Sequence, residues 1–337
     1  MSSTRENAIL IDWLSLTSKL HSPEEIISLL GMEDCKWQAM HGMHGYQERL
    51  WYDSISIHYA GRADMGVWLE MSGQGCRAFE TYGHGDYNVL FDLILNEPLI
   101  NITRLDVAFD EYDGILEISR ICSDTVKQNY RSKMDYYQTT QSSNGQSVDI
   151  GSHQSDVMIR IYDKLAERLS KLRSESDKEK IKDEIPHWIR IELQMRDERA
   201  KEFVRHLSGT DIGLAYTGVL RNYLEYGYTR ESEDGKRTFR TFDYWDKVLK
   251  GAERLSIYVK PGVDYNLARC ENFVYNSAGN AIDALLKIYG TDVFMKKLME
   301  REIKQNPKYL TLIDKYKEKE KCTTIKNITS PNKNTTE

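Results

Sequence analysis

The 337-residue chain has no run of 18 or more apolar residues, so nothing in it reads as a membrane-spanning helix. Its opening residues, MSSTRENAIL, lack the basic-then-apolar layout of a secretory signal, and the expected location is the cytoplasm. Cysteine is scarce and scattered: Cys35, Cys76, Cys122, Cys270 and Cys322 are odd in number, with no CxxC pair and no histidine at zinc-ligand spacing. Neither a disulfide framework nor a structural zinc is suggested. An excess of positive charge is also missing. With 46 Lys and Arg against 52 Asp and Glu, the net charge is -6, which argues against a protein that coats nucleic acid without regard to sequence. The basic residues are uneven, however: Lys296, Lys297, Arg301, Lys304, Lys308, Lys315, Lys317, Lys319 and Lys321 crowd the C-terminal stretch, and alone that run reads as a solvated helix face.

What remains is an ordinary globular composition, 40% hydrophobic and 29% charged, long enough for one large core or two modest domains. Residues 8 to 16 (AILIDWLSL) read as a buried strand carrying Asp12. From 46 to 71, YQERLWYD, SISIHYAG and GVWLEMSG read as a meander of antiparallel strands. The following SGQGCR, Ser72 to Arg77, reads as a tight turn, with a phosphate cradle as the alternative. A helix is expected over 86–97, a strand over 102–110, a helix over 114–129, and a polar hairpin from Gln141 to Gly151. A strand over 158–164 then runs into a charged helix at 165–180, and Pro186 precedes a strand over 188–195. Helices are expected at 197–207, 212–226, 243–256 and 277–318, while 228–242 is polar and carries no clear period. The domain reading is a core over 1–250, a mostly helical region over 251–320 and a disordered tail over 321–337.

Three of these strands set polar groups opposite their apolar ones: Arg104, Asp106 and Asp110; Arg160, Tyr162 and Lys164; Arg190, Glu192 and Gln194. A solvent-facing antiparallel sheet shows the same alternation, so one such strand proves little. Content is more telling. Asp and Glu are poor strand formers, and Asp106 and Asp110 on one face repel unless a cation or an arginine lies between them. Carboxylates with water suit Mg²⁺ or Mn²⁺. A tyrosine has a free pKa of about 10 and is a poor nucleophile at neutral pH. Beside a metal, Arg160 and Lys164, Tyr162 is expected to give up its proton more readily. Its attack on a phosphodiester leaves a 5′-phosphotyrosyl link and a free 3′-OH.

The segments Thr103 to Asp110, Ile159 to Lys164 and Trp188 to Leu193, with IDWLS at Ile11 to Ser15 and SGQGCR at Ser72 to Arg77, resemble the replication initiation factor family. That family holds rolling-circle plasmid and phage initiators and the related relaxases of conjugative elements. The likeness runs over roughly residues 8 to 250, in order and spacing. It implies an α+β fold: an antiparallel sheet nuclease core related to the HUH endonucleases but lacking their paired histidines, with a helical C-terminal extension. No His-hydrophobe-His triplet is present here. The resemblance implies Tyr162 as the nucleophile and Asp106 and Glu192 as metal ligands, with Asp110 a less certain third. Arg77, Arg104, Arg160, Lys164 and Arg190 are the expected DNA phosphate contacts.

The expected function is strand-specific DNA nicking that starts rolling-circle replication or conjugative transfer. The alternative is a catalytically inactive DNA-binding regulator of the same fold. DNA, single-stranded or extruded at the nick, is the expected partner, and the resemblance implies a helicase and in some members a homodimer. Asp12 reads either as a fourth acid of the site or as a hydrogen-bonded strand acid. Tyr130, Tyr136 and Tyr137 read as surface aromatics, His41 and His44 as loop residues, and His58 and His153 as ordinary strand or loop residues. Trp13, Trp51, Trp68, Trp188 and Trp245 are expected mostly in the core, with base stacking open to any that is exposed.

Overall fold

A computed structural model describes residues 5–97, 99–207, 209–231, 234–253, 274 and 279–300. Its organising element is a ten-stranded antiparallel sheet. In chain order its strands are β1 (Ala8–Ser18), β2 (Gln38–His41), β3 (Glu48–Tyr52), β4 (Ile55–Tyr59), β5 (Val67–Met71), β6 (Ile100–Glu111), β8 (Tyr137–Ser142), β9 (Gly145–Ile150), β10 (Val157–Asp163) and β11 (Ile189–Arg196). They lie in the order β2-β3-β4-β5-β1-β6-β11-β10-β9-β8. The three strands that alternate charged and apolar residues, β6, β11 and β10, are therefore neighbours, with β1 and its Asp12 beside β6.

One face of these strands is apolar for the reason read from the sequence. Leu105, Val107 and Phe109 on β6, Ile159 and Ile161 on β10, and Ile191 and Leu193 on β11 are all buried, because side chains two apart share a face. Helix α7 (Asp197–Leu207) contributes buried Ala200, Phe203 and Val204 to the same core, and α8 (Ile212–Tyr223) contributes Tyr216. The Tyr216 hydroxyl donates to the Ile191 carbonyl at 3.0 Å, which satisfies that buried polar atom. Helices α1 (Pro23–Leu30), α2 (Gly73–Tyr82), α3 (Tyr87–Asn96) and α4 (Ile118–Val126) also bury residues in this core.

A smaller sheet joins β7 (Tyr130–Ser132), β12 (Leu224–Glu231) and β13 (Arg237–Thr241) in the order β13-β12-β7. It is tied in where Tyr226 and Thr125 share a hydroxyl hydrogen bond of 2.7 Å, and where Tyr226 meets Trp245 of α9 (Asp243–Ala252). Helices α5 (Lys164–Ser170) and α6 (Glu175–Glu184) join β10 to β11, and α10 (Gly279–Tyr289) and α11 (Thr291–Glu300) follow later. No helix among the described residues is long and apolar enough to cross a membrane.

Several expectations change. SGQGCR begins α2 instead of forming a turn, with extended Ser72 as its N-cap. Its glycines are needed for close approach: a Cβ on Gly75 would lie 2.4 Å from the Ser54 carbonyl oxygen. His41 belongs to the exposed strand β2, which pairs with β3. The helix expected over 165–180 is two helices, because Ser174 caps a new N-terminus by accepting from the Asp177 backbone N–H. The helix expected over 212–226 stops at Tyr223, where Leu224 and Tyr226 are buried against β7. The ambiguous 228–242 holds most of the β12/β13 hairpin. Only Trp188 and Trp245 are core tryptophans; Trp13, Trp51 and Trp68 are half-buried. Cys270, Cys322, the lysines beyond Glu300 and the tail over 321–337 lie outside the described residues.

Candidate active site

The polar face of the central strands is not an ordinary solvated surface: Asp106, Asp110, Arg190 and Gln194 are all buried on it. Sheet register brings them together. Tyr162 lies opposite Arg190 and Arg160 opposite Glu192 across β10 and β11, while Arg190 lies opposite Asp110 and Gln194 opposite Asp106 across β11 and β6.

Asp12 arrives by a different device. Ile11 pairs with Val107 and Trp13 with Asp106, so Asp12 is an extra residue in the longest strand pair, a β-bulge. The buried positions of β1 accordingly jump from Ile9 and Ile11 to Leu14 and Leu16. The bulge re-aims Asp12 toward Arg190, whose Nη1 donates to Asp12 Oδ2 at 2.8 Å. The first turn of α2 closes over it: a Cβ on Gly73 would stand 2.7 Å from Asp12 Oδ1. From the same helix Arg77 donates to the Ile11 carbonyl at 2.7 Å and to Glu80 at 2.6 Å.

The Tyr162 hydroxyl donates to Glu192 Oε1 at 2.6 Å. Arg190 sits between the acids. Its Nε and Nη2 donate to the two oxygens of Asp110 at 2.6 and 2.7 Å, and its Nη1 lies 3.9 Å from Glu192 Oε1. Arg104 makes an equivalent fork onto Asp106, at 2.9 and 2.6 Å, and Arg160 one onto Asp149, at 2.7 and 3.0 Å. Lys164 holds its ammonium 5.4 Å from the centre of the Tyr162 ring and pairs with Glu167 at 2.8 Å.

Protonation follows from these contacts. Burial, followed by the negative charge of Asp12, pushes the Glu192 carboxyl up to about 7, against the pull of Arg190. Burial also raises Asp106, against the fork from Arg104. Asp12 goes the other way: burial would raise it, but Arg190, Lys164 and Arg77 together outweigh burial and hold it below the usual carboxylate range. Burial and the adjoining Glu192 carboxylate push the Tyr162 hydroxyl well above its ordinary value, so the phenol is un-ionised in this arrangement. Its proton is nevertheless already directed at a carboxylate whose affinity for a proton is matched to neutral pH.

The donor set for a hard divalent cation is of the right chemistry. Asp12, Asp106 and Glu192 all offer carboxylate oxygens, and the negative charge of Asp12 raises both of the others, which a divalent cation would relieve. Among the described residues no three His, Cys, Asp or Glu are grouped closely enough to form a complete cage. One or two carboxylates completed by water and a substrate phosphate is the usual arrangement for Mg²⁺, and these residues fit that pattern. Asp110, expected beside the metal, has both oxygens engaged by Arg190, as Asp106 has both engaged by Arg104, and Asp12 is the acid whose charge acts on both Asp106 and Glu192. Asp149, which orients Arg160, was not anticipated; its alternation with Ser147 on β9 was the available signal.

Other candidates fall away from this cluster. Tyr136 is exposed and donates to Gln138, and Tyr130 packs edge-on against Tyr137. His58 is buried with its ring stacked on Trp68.

Known proteins match most of the chain. A family model described as "Replication initiation factor" matches residues 100–301, and one described as "Rolling Circle replication initiation protein N-terminal domain" matches residues 8–96. A relative from Bacillus subtilis (strain 168) described as "Putative DNA relaxase NicK" is 25% identical over 291 residues, covering 82% of this chain and 80% of that protein. The solved structure of a rolling circle replication initiator protein from Geobacillus stearothermophilus superposes with a TM-score of 0.65 at 24% identity, over 75% of this chain and 99% of that one. The likeness to that structure is one of fold.

Proposed function

This chain belongs to the replication initiation factor family, and on that premise we propose that it nicks one DNA strand with Tyr162 as nucleophile. The observation that carries the reading is the 2.6 Å hydrogen bond from the Tyr162 hydroxyl to Glu192, set among carboxylates from separate strands. Tyr162 Oη attacks the scissile phosphorus as its proton passes along that hydrogen bond to Glu192 Oε1. The bond from phosphorus to the 3′ oxygen breaks, and the 3′ oxygen leaves and takes up a proton. The products are a 5′-phosphotyrosyl link on Tyr162 and a free 3′-OH, with the bond energy kept for rejoining.

Asp106 and Glu192, the latter through the oxygen that does not accept from Tyr162, are the residues that would hold Mg²⁺ or Mn²⁺. When bound, such an ion supplies charge to polarise the phosphate and to offset the charge that develops on it. Arg190 spaces the acids: it fixes Asp12 and Asp110 and lowers the cost of keeping Glu192 beside them. Arg77 acts on Asp12 from the other side, as one of the cations that lower its pKa. Lys164, Arg160 and Arg104 keep part of their side chains in solvent and are the phosphate contacts for the approaching strand. The substrate is single-stranded or extruded DNA, because a phenol rising from a sheet reaches a phosphate only where the duplex has opened.

The test is to incubate the protein with supercoiled DNA bearing its cognate origin and Mn²⁺. A relaxed circle with protein joined to the 5′ end supports the reading. A mobility shift without cutting favours a DNA-binding regulator of the same fold.

A further inference from the structure

Beside the acidic cluster, on the same face of the sheet, lies an open cleft of about 360 Å³ formed by β5, β1, β6 and β11 and the segment around Tyr46. That is within the size range of pockets that take small organic ligands, roughly 300–1,000 Å³. None of the catalytic steps above uses it.

Its walls are aromatic. Trp68 is backed by His58, stacked at 4.6 Å with an interplanar angle of 19°, and Tyr46 lies 6.1 Å from Trp68 and within 29° of parallel to it. Trp13 forms another wall, with the Arg104 guanidinium over its ring at 4.3 Å. The same guanidinium forks onto Asp106, so one side chain is shared between the cleft and the acidic cluster. Polar and charged residues also line the cleft: Ser15, Thr17, Glu70, Thr103, Arg104 and Arg196. Trp13 Nε1 and Arg196 Nε are buried with no hydrogen-bond partner among the described residues. Glu70 lines the cleft from β5, and burial raises its carboxyl above the ordinary range. Along β11, Arg196, Gln194 and Glu192 occupy alternate positions, so a row of side chains leads from the cleft to the hydroxyl of Tyr162. Gln194 Nε2 in the middle of that row is also buried without a partner.

Aromatic planes next to arginines at the edge of a phosphate-cutting site suit a nucleobase, since every base has a face to stack and edges to hydrogen-bond. Resting on the nicking reading above, we infer that this cleft binds one guanine of the strand being cut, a few nucleotides from the scissile phosphate. Guanine is the base whose Watson–Crick edge offers two adjacent N–H donors to a single carboxylate, here Glu70. Its O6 and N7 acceptors suit an arginine, here Arg196. Adenine, cytosine and thymine offer neither the adjacent N–H pair nor guanine's O6 and N7 together. Specificity for the nick sequence would then be built partly into the catalytic sheet itself.

The test uses fluorescein-labelled thymidine oligonucleotides whose central position is guanine, adenine, cytosine, thymine or abasic. Anisotropy titrations are run on the full chain carrying Tyr162→Phe, which removes the proposed nucleophile so that binding is read apart from cutting. The guanine oligonucleotide should bind roughly tenfold tighter than the abasic one, in line with the worth of stacking one base on an aromatic. Adding Trp68→Leu should abolish that advantage, and Glu70→Gln should remove the preference for guanine over adenine while leaving stacking in place. Near-ultraviolet circular dichroism and thermal midpoints establish that each variant is folded, and the milder Glu70→Gln keeps the test open should Trp68→Leu fail to fold. A preference for another base, or equal binding of all five by parent and variants, overturns the assignment. If the wild-type chain nicks DNA yet shows no discrimination, only the cleft assignment fails. If it discriminates but does not nick, the nicking reading fails instead.

Discussion

Replacing Arg190 with methionine perturbs the site at its most connected atom group. Arg190 is 5% exposed and forks onto Asp110 with a third contact to Asp12, with Glu192 just beyond at 3.9 Å. Arg190→Met leaves these buried acids without their shared cation. Removing one partner of a buried ion pair costs about 3–5 kcal/mol, because the charge left behind has lost both water and its counterion. Asp12, held low against burial chiefly by Arg190, and Glu192, already raised by burial, will both hold a proton more readily in the folded variant. A raised folded pKa gives stability that is present at low pH and lost as pH rises, so the deficit should be larger near pH 8 than near pH 5. Urea unfolding followed by circular dichroism at both pH values measures this, with an unchanged slope showing that the folded state is the same. The double variant Arg190→Met, Asp110→Leu should recover much of the stability, because an apolar pair of similar volume can replace a buried ion pair, while remaining unable to nick. A loss below about 1 kcal/mol in the single variant, or a deficit that does not grow with pH, would refute the assignment of Arg190 as the spacer of the acids.

His58 should make the fold acid-sensitive. It is 2% exposed, and burial, then Arg49 and His44, lower its pKa from 6.5 to about 4. Between those values the unfolded chain binds the proton and the folded chain does not, so stability falls with pH by at most about 3 kcal/mol, and His58→Phe should flatten that part of the profile in pH-dependent urea unfolding. Gly73→Ala inserts a methyl 2.7 Å from Asp12 Oδ1 and must displace either the carboxylate or the first turn of α2. We expect nicking to drop by about tenfold or more with a stability loss of about 1–3 kcal/mol, read from cleavage rates and thermal melts; wild-type rates would show that Asp12 is not held by this contact. Asp106→Ala should abolish metal-dependent cleavage and any rise in thermal midpoint on adding Mn²⁺, and a variant that still responds to Mn²⁺ as the wild type does would remove Asp106 from the metal site.

Much of the site was legible because strand alternation has a period of two. Arg104, Asp106 and Asp110, Arg160 and Tyr162, and Arg190, Glu192 and Gln194 could be assigned to common faces from spacing alone, and those strands are indeed adjacent. What spacing does not carry is register and bulges. Asp12 joins the acids only because β1 gains an extra residue against β6, and an inserted residue in one strand is defined by its partner strand. The pairing of Asp110 with Arg190 is likewise a product of the β6/β11 register, invisible until the strands are aligned. SGQGCR looked like a turn because glycines usually mark turns, whereas here they admit the Asp12 carboxylate and the Ser54 carbonyl against the start of a helix. The aromatic cleft was not legible: Trp13 and Trp68 read mostly as core residues, with base stacking open to any that is exposed, and they are half-buried because their cover depends on neighbouring strands and loops.

Whether Tyr162 is the atom that joins DNA is decided by mass spectrometry of the covalent product. After reaction of the full chain with single-stranded DNA spanning its own nick site and Mn²⁺, tryptic digestion should yield a nucleotide-bearing peptide that contains Tyr162, and Tyr162→Phe should yield none while still binding the strand. A nucleotide found on Tyr130, Tyr136, Tyr137 or any residue other than Tyr162, or an adduct that survives in Tyr162→Phe, would contradict the mechanism built on the Tyr162–Glu192 hydrogen bond.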